Sequence, residues 1–157
     1  MRAAFALALA GATSLLAVLL AHEILTFGAP GHGLINADRS ICPDIACPTT
    51  GMIVVAHIAK AIGAAFLFGI IGAVWISGRT RIAVATVAFS LQYLWSLVGM
   101  ASGYRIHFGT TWAWWEPFTE LLWHPALTLA LMVAGLALLF ALDRLLNRLA
   151  HEPPTAL

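Results

Sequence analysis

Apolar residues gather along this chain in four long runs, at about 3–27, 52–77, 82–102 and 118–142, separated by short polar segments. A helix that crosses a bilayer needs about 20 consecutive, mostly apolar residues. Each run is of that order. Hydrocarbon gives backbone N–H and C=O groups no partner, so only helices and closed barrels span it. Four such helices with short connections predict an all-α integral membrane protein, a four-transmembrane-helix up-down bundle in a single membrane domain over 1–157.

Composition sharpens the class. Of the 157 residues, 61% are hydrophobic and 10% charged, and the mean hydropathy is +0.91. Soluble domains carry about 25% charged residues. This chain has too little polar surface to cover a soluble globule, so the lipid bilayer is its first partner. The net charge of +1 says nothing about nucleic acid, and without a basic run or a Gly-rich phosphate loop no nucleic-acid partner is expected. Alanine, leucine and arginine dominate their classes, a bias of GC-rich bacterial genomes.

Arginines in the short connections set the orientation. Arg2, Arg79, Arg81, Arg144 and Arg148 fall at one end of the spans, and only Arg39 and Arg105 at the other. Both termini are therefore expected to be cytoplasmic, in a bacterial inner (cytoplasmic) membrane. The segments 28–51 and 103–117 then face outward. The first run is nearly twice the usual length of a signal-peptide apolar core and reads as an uncleaved signal anchor.

The outward segment 28–51, rich in Gly, Pro, Asn, Asp, Ser and Thr, reads as irregular loop. It contains CPDIACP, with Cys42 and Cys47. An oxidising compartment favours a disulfide between them, which would pin the loop. In the segment 103–117, Trp112, Trp114 and Trp115 read as an interfacial aromatic belt. The layout of four helices with outward cysteines resembles the quinone-linked membrane thiol oxidases of disulfide-forming pathways. That likeness implies a thiol–disulfide and quinone oxidoreductase; separately, Tyr93, Trp95, Tyr104 and Trp123 with nearby histidines could line a quinone or lipid pocket. Those proteins use a CxxC and a second cysteine pair, whereas this chain has one CxxxxC. The departure favours a structural staple.

The polar residues inside the spans carry the functional signal. Lys60 is the only lysine and lies three residues after His57. A helix starting near 52 places it roughly 12 Å inside, at ~1.5 Å per residue. Such a charge costs at least ~2.5 kcal/mol unless it is paired or reaches water. Glu23 is the first expected partner and Glu120 the second. The structural alternative is an ion pair or a lysine that snorkels outward. His22 and Glu23 close the first run, and Glu116, Glu120 and His124 open the fourth at spacing i, i+4, i+8. His32 and His107 lie in the outward segments, so five of six histidines are outward and only His151 is inward. The pattern predicts an outward polar site lined by His22, Glu23, His57, Lys60, Glu120 and His124. Imidazole and carboxylate suit copper or zinc, and facing histidines suit haem, while the lysine suits an anion. Pro125 would kink the fourth helix beside His124.

Two further features concern packing. Ala65, Gly69 and Ala73 form a small-xxx-small row on the second span, and Gln92 lies mid-span on the third. Both can meet another membrane subunit or a second copy. The first functional reading is thus a membrane protein binding a metal ion, haem or a small ligand. The second is a non-catalytic accessory subunit of a larger respiratory or photosynthetic complex. No nucleophile–base constellation is present, which leans against an enzyme.

Overall fold

A computed structural model describes residues 2–27, 50–75, 78–108 and 113–151, without side chains at 27, 50–53, 103–108 and 121. The expected Cys42–Cys47 pair, His32 and Trp112 lie outside the described residues, as do the side chains of Tyr104, Arg105 and His107. Four helices run through the molecule: α1 Arg2–Phe27, α2 Thr50–Val74, α3 Arg79–Phe108 and α4 Pro125–His151. There is no strand among the described residues. All four helices are long and apolar enough to cross a membrane. The architecture is a helical bundle whose length and apolar character suit a multi-pass protein in lipid.

The helices alternate in direction. Arg2 at the start of α1 donates to the Ala150 carbonyl near the end of α4 (3.1 Å), and a Cβ at Gly72 of α2 would meet Ala4 of α1. Arg81 in the first turn of α3 pairs with Asp143 of α4 at 2.8 Å. The five arginines that set the expected orientation therefore share one end of the bundle. His22, His57, Met100 and Thr128 lie toward the other end, linked by contacts described below. Gly78, directly before α3, has φ +92°, a backbone that side chains rarely adopt.

α1 is the inner staff. It packs along α2 and α4, whereas α3 packs less closely on α2 and α4. Two adjacent rows of α1 are buried, one through Ala6, Ala10, Ser14 and Val18 and one through Leu7, Leu15 and Leu19. Small side chains let backbones approach, the packing logic of helices in lipid. α3 stands further off because Phe89 and Tyr93, both fully buried, fill the gap. In the middle layer two rings meet two glycines. Phe68 of α2 lies over Gly11 of α1, and Phe89 of α3 lies over Gly135 of α4. The rings themselves are 6.3 Å apart and tilted by 43°.

The fourth run departs from expectation. It is not one helix over 118–142. Phe118–Leu122 forms a π-helical turn, closed by Trp123 N–H donating to the Phe118 carbonyl at 2.7 Å. Trp123 is extended (φ −79°, ψ 117°), and α4 starts at Pro125. The reason is the proline. It disfavours helix in the residue before it, while its own fixed φ and missing N–H suit the first helical position. Pro125 thus starts a helix rather than kinking one. α4 also continues to His151, nine residues beyond the expected end, and α3 runs from Arg79 to Phe108 rather than from 82 to 102.

Candidate polar site between the helices

α4's start shows how local chemistry builds one polar node. His124 takes the capping position: its Nδ1 accepts from Leu127 N–H at 3.0 Å, satisfying a free helix N–H. Its own N–H donates to Thr128 Oγ1 at 3.0 Å. Thr128 Oγ1 also meets His22 Nε2 of α1 at 3.3 Å, and Thr26 Oγ1 meets His22 Nδ1 at 3.2 Å. His22, Thr26 and Thr128 are fully buried. The Tyr93 ring of α3 stands edge-on to the His22 ring at 6.1 Å. This node ties α1 to α4 by hydroxyl–imidazole bonds, with both His22 nitrogens engaged. Thr128→Val should therefore cost about 1–2 kcal/mol, since it orphans one buried nitrogen and one N–H. Equilibrium unfolding in mixed micelles measures that loss.

A second node lies between α2 and α3, and has two rungs one helical turn apart. On the first, His57 Nε2 meets Met100 Sδ at 3.2 Å. A thioether only accepts, so the ring proton is on Nε2 and Nδ1 carries a lone pair. On the second, Lys60 Nζ donates to the Ser96 carbonyl at 2.7 Å. This partner is neither Glu23 nor Glu120. The ammonium rests against Gly99, where a Cβ would sit 2.9 Å from Nζ. Gly99 thus makes room for the cation between the helices.

The node holds unused hydrogen-bonding capacity. His57 Nδ1 and Ser96 Oγ are buried and have no hydrogen-bond partner among the described residues, and neither has the Tyr93 hydroxyl. Other helical hydroxyls here do not stay idle: Ser14, Thr86 and Ser102 each donate to the carbonyl four residues back, at 2.7, 2.8 and 2.8 Å. Ser96 makes no such bond. Each buried group without a partner costs about 1–3 kcal/mol. A cation, a hydroxyl and an imidazole nitrogen without described partners thus belong to two rungs of one helix pair, a turn apart.

The sequence-predicted site is divided by the fold. His22 and His124 meet through Thr128, and His57 and Lys60 share the second node. Glu23 is half-buried in the last turns of α1. Glu120 is exposed on the π-helical turn, and Glu116 accepts from Ala113 N–H, so the expected Glu116–Glu120–His124 stripe is not on one helix. Among the described residues no three His, Cys, Asp or Glu side chains are placed to hold a metal ion. Copper or zinc therefore has no assembled ligand set there, and haem would need His22 released from two threonines. Ser96, Gly99, Met100, Thr26 and Thr128 escaped the sequence reading as site residues. Thr128, four residues after His124, could have been found from spacing, but nothing in the sequence pairs Lys60 with Ser96.

The packing residues are also divided. Gly69 lies against Ala8 of α1, at 3.7 Å from a built Cβ, so this part of the small-residue row is used within the chain. Ala73 is exposed, Ala65 half-buried, and Gln92 lines a groove between α2 and α3. Compared with known proteins, the chain matches no protein family, no curated protein and no solved structure. The fold defines the class as an all-helical protein whose four long apolar helices suit a multi-pass membrane protein.

Proposed function

We propose that this protein binds a small anionic ligand between α2 and α3, at Lys60. One observation carries the reading: Lys60 holds its ammonium on the Ser96 main-chain carbonyl, and Ser96 Oγ and His57 Nδ1, on the same two rungs, are buried without a partner among the described residues. A cation inside a span is expensive, and such residues mark ligand or ion paths by default. An anion would complete it. Lys60 and the Ser96 hydroxyl would donate to its oxygens. Lys60 lies ten residues from the start of α2 at Thr50 and Ser96 twelve from the end of α3 at Phe108, roughly 15–18 Å at ~1.5 Å per residue. The arginine-rich end faces the cytoplasm of a bacterial inner membrane and the Lys60 end faces outward, following the positive-inside bias.

The single lysine supplies the assay. Reductive methylation with 13C-formaldehyde keeps the charge and labels one lysine side chain. Titration with n-butyl phosphate in non-ionic detergent should shift that resonance saturably. By calorimetry, Lys60→Met should weaken binding at least roughly tenfold, the worth of a charge-assisted hydrogen bond. The same variant should unfold no more easily, because it removes a charge from the span. Absence of a saturable shift would sink the reading. It would return Lys60 to a structural role and favour an accessory subunit.

A further inference from the structure

Resting on the anion site just proposed, we infer that its ligand is a single-tailed amphiphile with a phosphate-type head, its tail lying in the groove between α2 and α3. The groove reaches Trp95 on α3, one residue before Ser96, and Leu67 on α2, seven residues after Lys60. On α2, Lys60, Leu67 and Ile71 are spaced i, i+7, i+11, which keeps them on one face. On α3, Val84, Ala88, Leu91 and Trp95 form the matching stripe, and Gly99 continues it to the ammonium. Leu67, Ile71 and these four α3 residues line a cavity of about 520 Å³, almost wholly apolar, with Gln92 its one polar side chain.

Between the cation and this groove lies Gly63, three residues after Lys60 and four before Leu67. A Cβ built there meets nothing within 4 Å. The missing side chain leaves the path from head to tail open. From Lys60 to Ile71 the stripe is eleven residues long, roughly 16 Å at ~1.5 Å per residue. That length is close to half of the ~30 Å hydrocarbon core, the reach of one acyl chain.

Charge selects the occupant. In lipid the groove walls gain nothing from being hidden from water, so an apolar helix or a neutral lipid has no strong preference for it. An anionic head does, because the Lys60 ammonium donates to a neutral main-chain carbonyl. The His57 Nδ1 lone pair adds a second requirement: the head must also donate. A phosphate monoester retaining one O–H meets both needs, accepting from Lys60 and Ser96 and donating to His57. A carboxylate offers only acceptors.

The ratio of affinities for dodecyl phosphate and n-butyl phosphate tests the tail separately from the head. Both are titrated against the methylated Lys60 resonance in non-ionic detergent, in the full chain. Gly63→Leu enters open space and should leave the fold and butyl phosphate binding intact while blocking the tail. Ala88→Phe fills the groove from the opposite wall. Each should lower the dodecyl-to-butyl ratio by about tenfold, as a packed tail segment loses its contacts. A ratio unchanged in both variants would overturn the amphiphile and leave the anion site standing. Failure of both probes to bind the unsubstituted protein would overturn the anion site itself.

Discussion

Asp143→Ala should be among the two most damaging single substitutions, costing about 3 kcal/mol. Asp143 is 8% exposed and accepts from Arg81 Nη2 at 2.8 Å and from Asn147 Nδ2 at 3.0 Å. Removing it leaves Arg81 charged between α3 and α4 without its carboxylate, and breaking a buried pair typically costs about 3–5 kcal/mol. The lower figure applies because the Arg81 side chain is 18% exposed and its stem can carry the head toward water. Arg81→Leu combined with Asp143→Leu should be far milder, within about 1 kcal/mol of the parent, since the pair's mutual attraction mainly offsets its own desolvation. A double-mutant cycle by unfolding in mixed micelles checks both statements. A loss under roughly 0.5 kcal/mol for Asp143→Ala would mean the pair behaves as a solvated one.

Gly11→Ala should cost nearly as much, about 2–3 kcal/mol, for a different reason. A Cβ at Gly11 falls inside the Phe68 ring, 2.6 Å from its Cγ. Phe68 is fully buried and packs on Phe89, so the ring has little room to retreat. Overpacking of this kind costs about 1–3 kcal/mol. On an open helix face the same change would stabilise, because alanine is the better helix former by about 1 kcal/mol. The sign of the effect therefore reports the contact. Pairing Gly11→Ala with Phe68→Leu should recover part of the loss relative to the sum of the single changes. Additivity of the two would show that α1 and α2 do not meet there.

The two polar nodes illustrate how much of the site was legible. The gathering of His22, His57, Lys60 and His124 toward the end away from the arginines could be read from the arginine bias and helix spacing alone. Their partners could not. Lys60 was expected to seek a carboxylate on charge grounds, yet it donates to the Ser96 carbonyl, a backbone group no sequence pattern flags. His124 was expected to extend a stripe from Glu116 and Glu120, but Pro125 stops the helix before it and turns its imidazole into a cap. The small-residue row at Ala65, Gly69 and Ala73 suggested an external partner, and Gly69 met α1 instead.

By itself, the sequence determined the number of long apolar helices, their apolar character and the end at which the arginines gather. These depend on run length and on charge, which lipid reads residue by residue. Only the tertiary structure decided which side chains meet. Phe68 over Gly11, Phe89 over Gly135, Thr128 between His22 and His124, and Gly99 beneath Lys60 depend on the rotation and separation of helices. In an apolar solvent hydropathy scarcely distinguishes one helix face from another, so those quantities are set by close packing and by hydrogen bonds across helices.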